Sequence, residues 1–369
     1  PFESMLELRQ REDTRAVAGT QVSDLLQAAS AMVRGEASEL PDAGLPAGLH
    51  RVGTPLVLAG FDPRTASRLA PMFEQFGFIP SMGGVTGRSQ DDFPAPAPGG
   101  AVAVQLVRGD INVTATGTVT HVIGDEVYAF GHPFMQVGSV DYPMVGAEII
   151  TVLNSQAASQ KLSAVGSEVI GAVRQDRTPG VLGIMGLTPK MVPVEVRLGG
   201  TANERTIRFE IVHDPLLTPL YLFFGLVNIM QSVEDVAGPQ TIDFRGQVQL
   251  RGDYEPIALR GLFSRQGQAV VSIASWLSGI FSSLLDNDLQ AVEVGAVQVD
   301  MRLGSEAQAA RIERAWVPRG TVRPGETFPV HVAVRPFRGE PELHTFEVAT
   351  PEHVTGSVRL HLGGANETL

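Results

Sequence analysis

Short hydrophobic runs separated by turn residues dominate the chain after residue 100. Seven such runs, rich in β-branched residues, predict consecutive strands at Ala101–Val107, Ile111–Thr120, Glu126–Phe130, Ala147–Leu153, Glu168–Arg174, Val181–Met185 and Val192–Leu198. So many short strands in about a hundred residues are typical of a β-barrel or a sandwich. The pattern therefore predicts a mainly β protein with some helices.

Before residue 100 the hydrophobic positions have helical spacing. Apolar residues in Thr20–Gly35 recur on one helix face, and Gly35 is a typical stop. Thr54–Phe61 is predicted to be a buried strand. Asp62-Pro63 then provides the cap and first residue of a second helix, which is expected to end at Gly77.

Two long stretches without charge, Pro215–Val233 and Gln266–Leu285, are candidates for membrane spans. The first contains two prolines together with Asn228 and Gln231, and the second contains five serines and two glycines. Both compositions are too polar for a convincing span. We expect helices buried in or lying on a globular core, and weak contact with a membrane surface is the alternative.

The last segment has the period of two that buries one face of a sheet. Phe328, Val330, Val332 and Val334 alternate with other residues, and Val358–Leu362 repeats the pattern. With the turn that precedes Phe328, this pattern favours an immunoglobulin-like β-sandwich over residues 291–369.

Four segments follow from these patterns. Residues 1–97 form an N-terminal α/β part with a linker at Glu36–Leu49, and residues 98–198 form a barrel segment. Residues 199–290 form a mixed α/β region with the apolar helices, and residues 291–369 form the sandwich.

Composition excludes several classes of function. The net charge is −12 and no run of basic residues is present, which disfavours nucleic-acid binding. The chain has no cysteine, so it can hold neither a disulfide nor a thiolate metal site. Its eight histidines are scattered without metal-ligand spacing, and we expect no metal and no cofactor.

One histidine is placed for chemistry. The runs Val119–Ile123 and Glu126–Ala129 are separated by Gly124-Asp125, which predicts a tight hairpin. The second run leads directly into Gly131-His132-Pro133. A histidine between glycine and proline lies where the backbone turns out of a sheet, a common position for a general base. A structural loop histidine is the alternative interpretation of His132.

These residues resemble a known family. Thr116–Thr120, the hairpin and Ala129–His132 are similar to the segment around the catalytic histidine of SpoIVB-type serine peptidases, the sporulation factor IV B endopeptidases. The similarity continues through Gly166–Leu187 and covers roughly residues 98–198 in all. It implies a chymotrypsin-like β-barrel peptidase core in which His132 is the general base, acting on a protein or peptide substrate without a cofactor.

The chain departs from the family in one respect. The family's nucleophile lies in a Gly-Met-Ser-Gly-Ser-Pro type turn, and no such turn occurs in these residues; Gly138-Ser139 and Gly166-Ser167 are the nearest sequences. In larger members the serine turn precedes a stretch that resembles Pro1–Met5. We therefore expect a fragment that begins after its nucleophile and is inactive alone.

The acid that would orient His132 is left open among Asp110, Asp125 and Asp141, or lies outside the chain. The resemblance implies an exported, periplasmic or cell-surface protein. A non-catalytic exported scaffold with a degenerate peptidase barrel is the competing hypothesis, and the sequence leaves the oligomeric state open.

Overall fold

The part of the chain described by the structure, a computed structural model, contains most of the predicted elements. It comprises residues 22–36, 53–83, 93–153, 160–200, 204–233, 241–264, 269–304, 310–353, 356–357, 359–360 and 362–363. Of the described residues, 51% lie in strands and 21% in four helices, so the mainly β class is confirmed. The predicted linker at Glu36–Leu49 and the stretch Pro1–Met5 fall almost wholly outside these residues.

The helices and strands are numbered in chain order. The N-terminal elements are α1 (Val22–Arg34), β1 (Thr54–Ala59), α2 (Pro63–Gln75) and β2 (Phe78–Met82). The next strands are β3 (Ala101–Gly109), β4 (Asn112–Ile123), β5 (Glu126–Ala129), β6 (Gly138–Leu153), β7 (Gln160–Arg177), β8 (Gly180–Met185), β9 (Met191–Gly199) and β10 (Arg205–Val212). They are followed by α3 (Leu217–Val233), β11 (Thr241–Leu250), β12 (Ile257–Ser264), α4 (Ala269–Leu285), β13 (Val294–Gly304), β14 (Ala310–Trp316), β15 (Thr327–Pro336) and β16 (Glu342–Ala349).

Strands β3 to β8 pair in a closed antiparallel ring. The ring runs β3-β4-β5-β8-β7-β6 and returns from β6 to β3. Three consecutive strands, β3 to β5, are neighbours and β6 returns to lie beside β3, which is the Greek-key arrangement. A closed ring has no free edge at which another chain could pair.

Strands β3 and β4 also extend beyond the ring into an open sheet. The end of β3, at Val107–Gly109, pairs with β10, and the start of β4, at Asn112–Ala115, pairs with β1. The open part has the order β12-β11-β13-β9-β10 on one side and β1-β2 on the other. The two outer groups are therefore connected through strands that the barrel shares.

The helices α2, α3 and α4 contact strands of the open sheet, and α2 and α3 have identifiable caps. Asp62 caps α2 as predicted, because its carboxylate accepts the Arg64 N–H at 2.8 Å and Pro63 follows it. The Thr218-Pro219 pair in the sequence predicts that Thr218 caps α3, and this prediction is wrong. The helix begins at Leu217 and the Asp214 carboxylate accepts the N–H groups of Leu216 and Leu217, at 2.8 and 3.1 Å.

The two apolar helices are buried in the core. Phe223, Phe224 and Val227 of α3 and Leu277 and Phe281 of α4 have no exposed surface. Burying each such side chain contributes about 1.5–3 kcal/mol. Within the described chain, no helix combines the length and apolar character needed to cross a bilayer.

Asn228 and Gln231, the polar residues that argued against a membrane span, form hydrogen bonds between α3 and the region of α2. The buried Asn228 side chain accepts the Asp62 N–H at 2.7 Å and donates to the Gly60 carbonyl at 2.9 Å. The Thr65 hydroxyl donates to Gln231 at 2.9 Å.

The C-terminal strands divide between two sheets. Strand β13 lies in the large sheet, between β11 and β9, whereas β14, β15 and β16 form a separate three-stranded sheet. The alternation predicted for β15 is confirmed at its centre, where Val330 and Val332 are 1% and 2% exposed, whereas Phe328 and Val334 are only partly buried. The strand predicted at Val358–Leu362 is not found at Arg359, Leu360 or Leu362, and its other residues lie outside the described part.

Candidate active site at the His132 turn

The turn after β5 has an unusual backbone. Phe130 and Gly131 have φ angles of 73° and 71°, both in the left-handed region. Glycine enters that region freely, whereas a residue with a side chain is strained there. Two such residues in succession turn the chain sharply out of the barrel, and His132 follows immediately. The predicted turn out of the sheet is confirmed.

The ring of Phe130 holds this strained backbone in place. It packs on Gly117 of β4 so closely that a methyl group at Gly117 would lie 2.4 Å from Phe130 Cδ2. The Phe130 N–H donates to the Thr118 carbonyl at 2.9 Å, and the ring meets Phe134 edge to face at 5.6 Å. The glycine of the Thr116-Gly117-Thr118 sequence is thus required by the histidine turn.

The imidazole of His132 is half-buried and has a defined tautomer. Its Nδ1 lies 2.8 Å from the Pro133 carbonyl oxygen. A carbonyl oxygen only accepts hydrogen bonds, so in neutral His132 Nδ1 carries the proton and Nε2 carries the lone pair. Nε2 is therefore the nitrogen that could accept a proton from a nucleophile.

A buried carboxylate fixes the segment that follows His132. Asp176 of β7 is 1% exposed. Its Oδ1 accepts the Phe134 N–H at 2.8 Å, and its Oδ2 accepts the N–H groups of Met135 at 2.7 Å and Val137 at 3.3 Å. These three bonds satisfy backbone donors that have no strand partner in the turn.

Burial raises the pKa of the Asp176 carboxyl, because the charged form loses its hydration in the protein interior. The backbone N–H groups of the turn act in the opposite direction and offset part of this effect. The N–H groups of the turn therefore stabilise the charged carboxylate, and the carboxylate in return provides these groups with their acceptor.

The three carboxylates considered from the sequence lie elsewhere. Asp110 accepts the Arg208 N–H at 2.7 Å, and Asp141 accepts Arg174 Nη1 at 2.5 Å and the Lys190 N–H at 2.8 Å. Asp125 occupies the hairpin turn between β4 and β5. Among the described residues, no hydrogen bond joins any of these three side chains to His132.

The two serines whose flanking sequences are most similar to the family's serine turn lie in strands. Ser139 belongs to β6 and Ser167 to β7, and neither is hydrogen-bonded to His132. The residues that the structure describes contain no cluster of side chains suited to a metal ion.

Sequence reasoning missed Asp176. Asp176 lies beyond the predicted strand Glu168–Arg174, and no role was predicted for it. In the structure β7 continues to Arg177, and its register against β8 shifts between Val173 and Gln175. The shift turns Asp176 inward. Asp176 is the one acidic residue of the polar stretch Arg174–Thr178, and this was the available signal.

Comparison of the chain with family models, with curated proteins and with solved structures gives no match.

Proposed function

We propose that this chain is the histidine-bearing part of a serine endopeptidase of the SpoIVB type. The observation that carries the proposal is the His132 imidazole, which is half-buried at the end of a barrel strand and hydrogen-bonded through Nδ1, so that Nε2 can act as a base. The strained backbone at Phe130 and Gly131 supports it, since such strain is concentrated at functional sites.

In the proposed reaction a serine hydroxyl attacks the peptide carbonyl while His132 Nε2 takes its proton. The same nitrogen then returns the proton to the leaving amine. The Pro133 carbonyl keeps the imidazole in the required tautomer, and Asp176 keeps the following backbone in place. The serine would come from a glycine-rich turn outside these 369 residues, whose N–H groups would bind the oxyanion.

The finer fold assignment is part of this proposal. The closed six-stranded Greek-key ring of β3 to β8 supports a chymotrypsin-like barrel. The side chain of Phe346, which is 52% exposed and pairs across the three-stranded sheet with Val330, supports an immunoglobulin-like sandwich, because a second sheet on that face would cover it.

The test is active-site labelling of a protein in which a glycine-rich serine turn precedes these residues. We expect a fluorophosphonate to label it, and His132→Ala to slow labelling at least about a hundredfold, since a general base contributes 10²–10⁴ in rate. His121→Ala, in neighbouring β4, is the matched control and should label normally. Equal labelling of the His132→Ala variant would contradict the assigned role.

A further inference from the structure

A groove of about 610 Å³ crosses β3, β10, β9 and β13, away from the His132 turn. Phe209 of β10 points towards α3, where its ring lies beside Gly225. Side chains alternate along a strand, so Arg208 and Glu210 project from the opposite face, into the groove. The volume is in the range of small-ligand sites.

The groove contains a buried amide without a protein partner. Gln105 of β3 is 1% exposed, and its Oε1 is buried without a hydrogen bond. Across the strand pair, Asn112 and Thr114 are also buried, but the Thr114 hydroxyl donates to the Asn112 side chain. In the described part of the chain, Gln105 is therefore the member of this polar set that is left to recognise a ligand.

Both signs of charge line the groove beside Gln105. Arg108 forms an ion pair with Glu210, and Arg208 Nε lies 2.8 Å from Glu195 Oε2. The charges balance, so the groove suits neither a polyanion nor a free cation. Each guanidinium has five N–H donors and each carboxylate two oxygens, so every pair keeps capacity for a ligand.

We propose that this groove binds a short peptide with free ends. The peptide group both donates and accepts, as the Gln105 amide does. A terminal carboxylate fits Arg108 or Arg208, and a terminal ammonium fits Glu195 or Glu210. Pro193 and Ala296 supply apolar surface between these charges. None of these residues belongs to the His132 turn, so this site is separate from the proposed peptidase chemistry.

Gln105→Met is the decisive variant, because methionine has a similar length and volume but no amide. An unpartnered buried amide destabilises the folded chain, so this variant should melt at the same temperature as the original chain or higher. Arg108→Gln, at a half-exposed position, is a second variant that does not alter the core. Gln247→Leu, at an exposed position of β11, is the matched control.

Calorimetric titration of the chain with trialanine tests the proposal. We expect trialanine to bind the original chain. Gln105→Met should weaken the affinity about tenfold, because the loss of one net hydrogen bond changes a dissociation constant by about that factor. Arg108→Gln should weaken binding of trialanine more than binding of its C-terminally amidated form, and Gln247→Leu should change neither.

Four results would overturn the proposal. They are no binding of trialanine to the original chain, equal binding by Gln105→Met, equal loss for the free and amidated peptides in Arg108→Gln, and preferential binding of maltose, a neutral hydroxyl-rich ligand.

Discussion

Asp176 connects the barrel wall to the turn that carries the candidate base. Its carboxylate accepts N–H groups from three residues of one short segment, so a single side chain replaces the strand pairing that the segment lacks. An uncharged side chain cannot do this equally well, because an amide has only one accepting atom.

Asp176→Asn tests this clamp. The amide nitrogen would face one or two backbone N–H groups, and we expect a loss of about 1–3 kcal/mol in the free energy of unfolding. Hydrogen exchange at the amides of Phe134, Met135 and Val137 should accelerate, since these are the groups that lose their acceptor.

Asp141→Asn is the control for charge alone. Its ion pair with Arg174 lies nearer the surface and should contribute less than about 1 kcal/mol. If the three turn amides remain as protected in Asp176→Asn as in Asp141→Asn, the clamp is disproved.

At the scale of elements, one histidine joins the end of β10 to the start of β13. His213 Nε2 accepts the Val294 N–H at 3.1 Å. Burial lowers the pKa of His213 from its ordinary value of 6.5, because the charged ring would lose its hydration. The protonated ring also could not accept this hydrogen bond.

This linkage predicts a dependence of stability on pH. Above 6.5 His213 is neutral in both folded and unfolded chains, and no penalty arises. As the pH falls through 6.5, the unfolded chain binds a proton that the folded chain does not, so the free energy of unfolding decreases.

The measurement is the melting temperature at about pH 7.5 and about pH 5.5. His213→Gln cannot titrate in this range and should lose less stability on acidification than the original chain. An equal decrease in both proteins would show that another group is responsible.

The sequence predicted an element correctly where the signal comes from neighbouring residues of that element. Asp62-Pro63 identifies the start of α2, and the alternation around Val330 identifies β15, because caps and period-two burial are properties of neighbouring residues. The cap of α3 was missed because Asp214 lies three residues before the helix, and the Thr218-Pro219 pair four residues further on is an equally good start signal.

Long-range pairing could not be predicted. The ring closes where β3 meets β6, and β13 enters between β9 and β11, yet neither pairing leaves a pattern in the residues concerned. At the site, His132 was identified because glycine and proline mark its turn. Asp176 was not, because it follows the predicted strand end at Arg174, in a polar stretch whose side-chain directions depend on the register of β7 against β8.

At the scale of the molecule, no strand pairing joins the two sheets in the described part of the chain. The buried residues of the largest hydrophobic cluster extend from Val22 to Met301, and β14 to β16 pair with one another alone among the described strands. The large sheet should therefore not depend on residues after Gly304.

A chain ended at Gly304 tests this separation. We expect it to unfold cooperatively with a melting temperature within about 4 °C of that of the large sheet in the original chain, because few contacts are removed from the large core. Circular dichroism and calorimetry would measure both. A chain that is unfolded or aggregated when made in this way would contradict the prediction.

The position of β13 has a consequence for the order in which the protein folds. The barrel ring joins strands that follow each other closely in sequence, so it can close as soon as residue 185 has been synthesised. Strand β9 instead waits for Val297 to pair with Val194. Until then one edge of β9 has no strand partner. During synthesis the open sheet is therefore more exposed to incorrect pairing than the barrel is.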